Sequence, residues 1–549
     1  MKTPLLIFTF LCLCLAVSAQ ITPPQFEWAR SLGGWQDDDL ADLVVAEDGS
    51  VYVTGSFTDF ICFDTLCFPA ASPDTSDIFL AKYDSLGMLQ WAKVLGGDGV
   101  DQGKALALDS HGNVFLGAGF SRKIDVGGIF LQANNPKKSF YNPLDFFIAK
   151  ISPQGSILAI FHPKGQAISW LYQISTDIRD NLYIAGITNS DSLIFSDELF
   201  LKTNGPGQFF IARLDSAFHP QYLTECVFPG SGARAIKEME PNRQGELFLT
   251  GYFGDTMIVQ GNILSRGLSS HHFLLKLDAD GEYQWSELFN QEISSLALDE
   301  TGHLYFSGTR GGNSRFDSLV VSGQSSYFLA RYNSQGRVLW VKQTYQALFP
   351  FPALTFYNGG QVYLTSTFLS NVTVDDTLLY AVEREEIFIT RYDTTGNLIW
   401  TRSAGSASDE WVFHIAGNAR GDIALGGNFI YNVIGLDSFW VYNTYPSRVE
   451  LFVAQLHRDS LPPLPQPPAE WTVYPNPFED HIFLWGDFVL GPLNLSLFDL
   501  SGREIWKTQM LIEDTIFPLR LSVPVLPGGF YLLRLGQGGK EQVMKMVRV

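Results

Sequence analysis

Short apolar strands, separated by turns rich in Asp, Asn and Gly, recur along most of the 549-residue chain. One strand repeats with Phe at a fixed place, as in Asp77-Ile-Phe-Leu-Ala-Lys-Tyr-Asp84 and Asp145-Phe-Phe-Ile-Ala-Lys-Ile-Ser152. The phenylalanines at this place are Phe79, Phe147, Phe210, Phe273, Phe328, Phe388 and Phe452. They stand 55 to 68 residues apart. The pattern therefore predicts a series of like units, each too small to bury its apolar faces alone.

A second series of positions keeps step with these phenylalanines. Its members are Tyr52, Phe115, Tyr183, Phe248, Tyr305, Tyr363 and Ala424, and the small residues that follow three positions later are Gly55, Ala118, Gly186, Gly251, Gly308, Ser366 and Gly427. Turns such as Asp109-Ser-His-Gly112 precede most of the first set, because Asp caps a tight turn and Gly takes its positive φ. Other turns, such as Asp84-Ser-Leu-Gly87, lead into Trp91, Trp285, Trp340 and Trp400. Each unit is therefore predicted to hold four strands, which in the second unit lie near Lys104–Leu108, Asn113–Phe120, Phe146–Ile151 and Ile157–Phe161.

Four strands per unit, repeated seven times, predict an all-β fold, a seven-bladed β-propeller around a central channel. We expect the small residues on an inner strand, where the blades crowd towards the channel, and the aromatic residues between neighbouring blades. The seventh unit lacks a fourth strand, whereas Phe26-Glu-Trp-Ala-Arg-Ser-Leu32 matches Trp91-Ala-Lys-Val-Leu95. We therefore predict that this N-terminal strand closes the ring as the outer strand of the last blade.

The two ends of the chain depart from the repeat. Met1-Lys2, an apolar run to Val17 and a small residue before Gln20 form the pattern of a secretory signal peptide cleaved between Ala19 and Gln20. After the repeat, the proline-rich stretch predicts a stiff linker. The predicted divisions are the signal peptide (1–19), the propeller (20–460), the linker (461–470) and a small C-terminal β-sandwich (471–549). No other stretch approaches the 18 apolar residues of a transmembrane segment.

Composition and charge narrow the class of partner. A hydrophobic fraction of 46% excludes a disordered chain, and 14% aromatic residues together with 50 Gly fit an all-β fold. The formal net charge of −20 argues against nucleic acid, because little here would neutralise phosphates. It favours cations or basic proteins as partners.

The cysteines do not form a disulfide framework, because two of the five, Cys12 and Cys14, fall in the signal peptide. Cys62 and Cys67 flank a short segment, where they either pair across a hairpin or remain two separate thiols. Cys226 is expected to be a lone buried thiol.

Three segments of the second unit carry a family resemblance: Trp91-Ala-Lys-Val-Leu-Gly-Gly97, Asp109-Ser-His-Gly-Asn-Val-Phe115 and Phe146-Phe-Ile-Ala-Lys150. Together they resemble the bacterial seven-bladed β-propeller repeat family (SBBP-type repeats). The resemblance covers about residues 26–458, although three copies lack the Gly-Gly pair. It implies a fold and no defined activity.

The tail carries the motifs Val473-Tyr-Pro-Asn-Pro-Phe478, Leu497-Phe-Asp-Leu-Ser-Gly-Arg503 and Leu526-Pro-Gly-Gly-Phe-Tyr-Leu-Leu533 in this order. These motifs resemble the C-terminal sorting domain (type A) of type IX secretion cargo, found in Bacteroidetes. The sorting residues that the resemblance implies are Tyr474, Pro475, Asn476, Pro477, Gly502, Gly529 and Tyr531. It also implies that an outer-membrane translocon and a sorting peptidase are partners, and that the protein is secreted or attached to the outer cell surface. The alternative is an ordinary stalk sandwich.

Signatures of common catalytic sites are missing from the sequence, which has no nucleophile elbow, phosphate loop, zinc signature or EF-hand loop. Acidic residues do recur at matching places before the first strand of three units, as Asp38, Asp101 and Glu410. Because these units are neighbours in a closed ring, we predict an acidic sector that binds Ca²⁺ or a basic partner. The alternative is that these are solvated acids capping turns. No other cofactor is expected.

The sequence therefore favours a non-enzymatic, exported β-propeller that binds an extracellular protein or polysaccharide. The alternative is an extracellular hydrolase or lyase, active on polysaccharides, with its site over the propeller channel. The two differ at the channel mouth, since an enzyme needs convergent ionisable groups with shifted pKa values there.

Overall fold

The computed structural model describes residues 23–34, 36, 38–72, 74–134, 145–165, 169–189, 192–202, 207–230, 232–265, 271–323, 326–345, 353–357, 360–369, 371–381, 385–405, 409–430, 433–443, 448–456, 472–474, 481–485, 491–499, 502–512, 519–522, 526–538 and 540–548. The chain divides into two compact units between Asp459 and Ser460. Every helix or strand among the described residues is a β-strand, so the predicted all-β class is confirmed.

The N-terminal unit is built from short strands. In the first half they are β1 Phe26–Gly33, β2 Asp39–Val45, β3 Val51–Thr58, β4 Phe60–Phe63, β5 Leu66–Pro69, β6 Ser76–Tyr83, β7 Leu89–Gly97, β8 Asp101–Leu108, β9 Val114–Phe120, β10 Lys123–Val126, β11 Ile129–Gln132, β12 Asp145–Ile151, β13 Ile157–Phe161, β14 Lys164–Gly165, β15 Ser169–Thr176, β16 Leu182–Thr188, β17 Leu193–Ile194, β18 Phe200–Leu201, β19 Gln208–Leu214 and β20 Pro220–Val227. In the second half they are β21 Arg234–Pro241, β22 Leu247–Phe253, β23 Thr256–Val259, β24 Asn262–Ser265, β25 His271–Leu277, β26 Tyr283–Phe289, β27 Ser295–Leu298, β28 Leu304–Arg310, β29 Ser314–Phe316, β30 Leu319–Val321, β31 Ser326–Tyr332, β32 Val338–Tyr345, β33 Ala353–Tyr357, β34 Gln361–Phe368, β35 Val372–Val374, β36 Thr377–Leu379, β37 Glu386–Asp393, β38 Leu398–Ala404, β39 Asp409–Gly417, β40 Ile423–Ile430, β41 Val433–Leu436, β42 Phe439–Tyr442 and β43 Glu450–Leu456.

Four of these strands make one antiparallel sheet in each repeat, and we call them the first, second, third and outer strands. The sheets, numbered along the chain, are sheet 1 (β2-β3-β6-β7), sheet 2 (β8-β9-β12-β13), sheet 3 (β15-β16-β19-β20), sheet 4 (β21-β22-β25-β26), sheet 5 (β27-β28-β31-β32), sheet 6 (β33-β34-β37-β38) and sheet 7 (β39-β40-β43-β1). In sheet 7 the outer strand comes from the other end of the unit: β1 runs antiparallel to β43, with Ala29 opposite Ala454 and Leu32 opposite Leu451. The repeated arrangement is propeller-like.

A two-stranded hairpin joins the second and third strands of each repeat, and the four-strand prediction omits it. The hairpins are β4-β5, β10-β11, β17-β18, β23-β24, β29-β30, β35-β36 and β41-β42. Several of them bond to the outer strand of the preceding sheet, as β10 does to β7 and β23 to β20. In the first hairpin a disulfide joins Cys62 of β4 to Cys67 of β5, which decides between the two alternatives for these cysteines. Cys226 is a buried free thiol.

The small residues of the second strand face the Phe ring of the third strand. Gly55 lies opposite Phe79, Gly251 opposite Phe273, and the same register holds in the other sheets. A Cβ at Gly251 would lie 2.9 Å from the Phe273 ring and would collide with the carbonyl of Ala235 in the first strand. The packing of neighbouring strands within one sheet therefore requires the small residue. Crowding of blades at the channel, which the sequence suggested, is not its cause.

A hydrogen bond from a Trp indole to a backbone carbonyl of the next sheet recurs in the repeat, and we call it the latch. The indole N–H of Trp91 donates to the carbonyl of Pro153 in the next repeat (3.0 Å), and that of Trp285 donates to Ser334 (3.2 Å). A Lys or Arg of the third strand donates to a carbonyl at the same place in the turn, as Lys276 does to Ser334 (3.4 Å). Trp28 of β1 makes the equivalent bond to Ser85 in sheet 1 (3.2 Å). The Trp and Lys/Arg positions of the repeat thus connect each sheet to the next.

The C-terminal unit contains two antiparallel sheets. Its strands are β44 Thr472–Tyr474, β45 His481–Trp485, β46 Gly491–Asp499, β47 Glu504–Ile512, β48 Leu519–Ser522, β49 Gly529–Gln537 and β50 Lys540–Arg548. The sheet orders are β44-β45-β48 and β47-β46-β49-β50. Leu495, Leu497 and Leu533 lie in its buried core. A tight turn joins β46 to β47, where Gly502 has a φ of 85° and its N–H donates to the Asp499 carbonyl (3.0 Å).

Candidate functional site

The first strands of the sheets line a channel with a volume of about 620 Å³. The strands that contribute described side chains to its wall are β2, β8, β15, β21, β27 and β39. Most of these strands carry one residue more than the second strand that pairs with them, which is a β-bulge. The extra residues are Ala41, Lys104, Tyr172, Lys237 and Phe413. Because they stand at equivalent places near the start of their strands, we call this end of the channel the mouth.

Beyond the mouth, carboxyl groups line the wall. Asp42, Glu238 and Glu240 contribute to it, with Gln173, Ser175 and His414 beside them. Burial raises the pKa of Asp42 to about 7, although the N–H groups of Leu106 and Leu43 bond to it. Burial and the charge of Asp42 raise the pKa of Glu240 to about 7.

The Glu238 carboxyl is the most perturbed of the three. Burial and the charges of Glu240 and Asp42 raise its pKa well above the usual range, and the amide of Gln173 donates to its Oε2 (3.0 Å). His414 lies beside Asp42, with its Nδ1 3.9 Å from Asp42 Oδ1, and donates from Nε2 to the carbonyl of Leu40 (3.2 Å). Burial therefore favours the protonated form of the carboxyl groups in this part of the channel.

The mouth at sheets 3 and 4 has a different chemistry. Tyr172, Arg234, Lys237, Tyr252 and His272 gather there, all half-buried. The Tyr172 hydroxyl donates to the Arg234 carbonyl (3.4 Å), and the Lys237 ammonium lies 5.8 Å from the centre of the Tyr252 ring. The rings of Tyr252 and His272 lie 5.7 Å apart. Two cations and two phenol rings thus lie together at the mouth end of sheets 3 and 4.

His272 in this cluster is neutral at physiological pH. Burial, then the charges of Lys237 and His271, lower its pKa to about 4. Its Nδ1 accepts a hydrogen bond from the Ile293 N–H (3.3 Å), which places the ring proton on Nε2. Burial also raises the pKa of Tyr172 to about 12, so its hydroxyl keeps its proton.

The bulge explains how one strand supplies opposite charges. In β21 the register shifts between Ile236 and Glu238, so Lys237 is left out of the pairing at the mouth while Glu238 enters the channel wall. These residues were not predicted from the sequence, although a signal was present. The residues that stand ten positions before the second-strand series are Asp42, Ala105, Gln173, Glu238, Ser295, Ala353 and His414. This column is polar in most repeats, which a purely structural position on an inner strand does not require.

The three predicted acidic residues lie between sheets. Asp38 is 4% exposed, and Asp101 and Glu410 are fully buried. Each lies near a second acid in the third strand of the neighbouring sheet: Glu450 for Asp38, Asp77 for Asp101 and Glu386 for Glu410. Among the described residues no three His, Cys, Asp or Glu side chains are grouped so that they could hold a metal ion.

The backbone N–H groups of glycines bond to two of these acid pairs. The Gly34 N–H donates to Asp38 (2.8 Å), and the Gly97 N–H bonds to both Asp77 and Asp101. A Cβ at the neighbouring Gly96 would collide with the Asp77 carboxyl. The Gly-Gly pair of the repeat therefore allows the backbone to approach a buried carboxyl closely.

The other predicted site residues fall in two groups. Ala19 and Gln20, Pro475, Asn476 and Pro477 lie outside the described residues. Tyr474 ends β44, Gly502 makes the hairpin turn, and Gly529 begins β49. The side chain of Tyr531 is buried, and its hydroxyl donates to the Pro527 carbonyl (2.6 Å).

Known proteins resemble the chain weakly over part of its length. It is 20% identical over 438 residues, 64% of this chain, to an uncharacterized WD repeat-containing protein of Acanthamoeba polyphaga mimivirus. It is 36% identical over 92 residues, 16% of this chain, to the regulatory protein FlaEY of Caulobacter vibrioides. The matches span only 31% and 10% of those proteins. Two solved structures have a similar chain trace. A PL25 ulvan lyase is 8% identical, with 72% of this chain and 93% of that one covered and a TM-score of 0.37. A Synechocystis apocarotenoid oxygenase mutant is 11% identical, with 79% of this chain and 97% of that one covered and a TM-score of 0.34. At these scores the likeness says nothing about activity.

The C-terminal unit has a clear family match. Residues 472–549 match the model of the secretion system C-terminal sorting domain. No helix in the described part of the chain is long and apolar enough to cross a bilayer. The sorting domain implies interaction with the type IX secretion machinery. The chain thus carries a C-terminal type IX sorting domain, which directs its export to the cell surface or the extracellular space.

Proposed function

We propose that this protein is an exported, non-enzymatic binding protein whose ligand enters the mouth of a β-propeller channel. In this proposal the sheets close into a seven-bladed ring of the SBBP type over residues 20–460, sealed by β1. A signal peptide (1–19) precedes the ring, and the linker (461–470) joins it to a C-terminal sandwich (471–549). The origin in Bacteroidetes and the sorting peptidase as a partner belong to the same proposal. The latch from Trp28 to Ser85 supports the closure.

One observation carries the binding proposal: half-buried aromatic and charged side chains gather at the channel mouth. Lys237 is the extra residue of a bulge, so it takes no part in the regular pairing of β21 and β22. Tyr172 holds the same place in β15. Half-buried side chains beside a channel, some aromatic and some charged, are typical of ligand sites.

The test is to block the mouth. Ala41 is a bulge residue at the channel wall, so Ala41→Trp places a large ring in the entrance. Ala217 lies exposed on a turn away from the channel, which makes Ala217→Trp a matched control. Mature protein is screened for binding to arrays of saccharides and of peptides. The proposal expects Ala41→Trp to abolish the binding that the wild type and Ala217→Trp share. Equal binding by all three would contradict it.

A further inference from the structure

We propose that the mouth recognises an acidic saccharide chain, with Arg234 and Lys237 facing its anionic groups and Tyr172 and Tyr252 contacting its sugar rings. This inference rests on the proposed function, which places ligand binding at the mouth, and adds the chemical class of the ligand. The formal net charge of the whole protein is −20, so an anion would not be expected to bind elsewhere by bulk charge. Recognition must come from local cations.

The two mouth cations of sheet 4, Arg234 and Lys237, are held by groups that leave their charge available. The Arg234 guanidinium lies 4.8 Å from the centre of the Phe228 ring and donates to the Gly230 carbonyl (3.2 Å). The Lys237 ammonium lies over the Tyr252 ring. Aromatic faces orient a cation without neutralising it, so both groups can still pair with a carboxylate or sulfate. In the neighbouring sheet 2, Lys104 is the bulge residue at the equivalent place.

The aromatic rings suit sugar units better than a folded protein partner. Tyr172 packs edge-on against Phe209 (6.2 Å), and Tyr252 packs against His272 (5.7 Å), so both rings are fixed in place. A fixed ring with a half-exposed surface contacts the apolar face of a pyranose at a small cost in entropy. All five side chains are half-buried, and the channel that adjoins them, with a volume of about 620 Å³, admits a slender chain and not a flat protein surface.

The carboxyl groups deeper in the channel are compatible with an anionic chain as long as they are protonated. Among the side chains that the structure describes, the titratable groups that line the channel beyond the mouth are Asp42, Glu47, Glu238, Glu240 and His414. Since burial raises the pKa of Asp42 and of Glu240 to about 7, these carboxyls are largely neutral below that pH and can bond to sugar hydroxyls. Above it they ionise and repel an anion, so the affinity is expected to fall as the pH rises through neutrality.

The experiment compares two probes that differ only in charge: a glucuronate-containing hexasaccharide and the same chain with its carboxyl groups reduced to alcohols. Calorimetry with the mature protein should give an affinity for the acidic chain that is roughly ten-fold or more higher. Lys237→Met should lower the affinity for the acidic chain by about ten-fold and leave the affinity for the reduced chain unchanged. Lys123→Met, which removes an exposed lysine from a peripheral hairpin, is the control and should change neither. Equal affinity for both probes would overturn the inference.

The pH dependence supplies a second readout. Between about pH 5.5 and about pH 8.5 the affinity for the acidic chain should fall, and Glu240→Gln should flatten this fall. An affinity that does not change with pH would count against the channel carboxyls as neighbours of the ligand.

Two further outcomes separate this inference from the function on which it rests. If an acidic peptide binds at the mouth more tightly than the saccharide, the saccharide class is wrong and the mouth remains the ligand site. If Ala41→Trp leaves the binding of every probe intact, the proposed function itself fails.

Discussion

Single residues of the repeat act mainly across the boundary between sheets. The Trp positions stand out in the sequence because each follows a turn, but the sequence does not indicate what they bind. In the structure Trp91, Trp285 and Trp340 each donate to a carbonyl in the turn of the next repeat. That partner lies 49 to 62 residues away in the chain. Position in a repeat can be predicted from periodicity, whereas a bond between repeats depends on how the sheets pack.

Trp285→Phe tests the latch at the level of one hydrogen bond. The ring is kept while the N–H that donates to the Ser334 carbonyl is lost, so we expect unfolding to become easier by about 1 kcal/mol. Urea unfolding followed by fluorescence measures the change. Trp440→Phe is the matched control, because Trp440 is 58% exposed and should alter stability by less than about 0.5 kcal/mol. Equal effects of the two substitutions would show that the indole N–H contributes nothing.

At each pair of buried acids, the first strand of one sheet meets the third strand of the neighbouring sheet. The sequence predicted only one acid of each pair. It predicted that Asp38, Asp101 and Glu410 occupy equivalent places, which follows from the repeat. It gave no sign of their second acids, because Asp77 and Asp101 belong to different repeats. Burial, then the charge of Asp77, raise the pKa of Asp101 to about 9, and Asp77 Oδ1 and Asp101 Oδ2 have no hydrogen-bond partner among the described residues. One proton shared by these two oxygens would satisfy both.

The direction in which stability changes with pH follows from the pKa of Asp101 in the unfolded and in the folded protein. The unfolded chain releases the Asp101 proton near its ordinary pKa of 3.8, while the folded protein holds it to about pH 9. Unfolding therefore releases a proton between these values, and stability falls as the pH rises through this window. One proton corresponds to a slope of about 1.4 kcal/mol per pH unit.

Asp101→Asn should remove that slope, since the amide stays neutral and can donate to Asp77. Urea unfolding at several values between about pH 5 and about pH 9 should show a dependence shallower by about one proton than in the wild type. Asp98→Asn, in the exposed loop beside it, is the control and should keep the wild-type slope. Addition of CaCl₂ separates a shared proton from a bound cation: if Ca²⁺ raises the stability of the wild type and not of Asp101→Asn, the pair holds the metal.

At the scale of the whole molecule, the period and strand pattern were enough to predict an all-β fold and an outer-strand role for the N-terminal segment. The peripheral hairpins and the bulges were not predicted, for two physical reasons. Hairpin strands such as Val372–Val374 are too short to show alternation, and they bond to the outer strand of another repeat. A bulge such as that at Lys237 adds one residue to a strand without changing its apolar pattern. The channel mouth is built at these bulges, so the candidate site could not be predicted from the apolar pattern of the strands.

The closure by β1 makes a prediction for the N-terminal unit as a whole. Trp28 and Leu32 of β1 are at most 2% exposed, and β43 would become an open edge without this strand. Deletion of residues 20–33 should therefore lower stability by more than about 4 kcal/mol. A circular permutant supplies the sharper test. In it, residues 23–34 follow Leu456 through a short turn like those that lead to the other outer strands. This connection is possible because Phe26 lies opposite Leu456. Thermal unfolding of this permutant should match that of a chain ending at residue 459, and a permutant as unstable as the deletion would refute the closure.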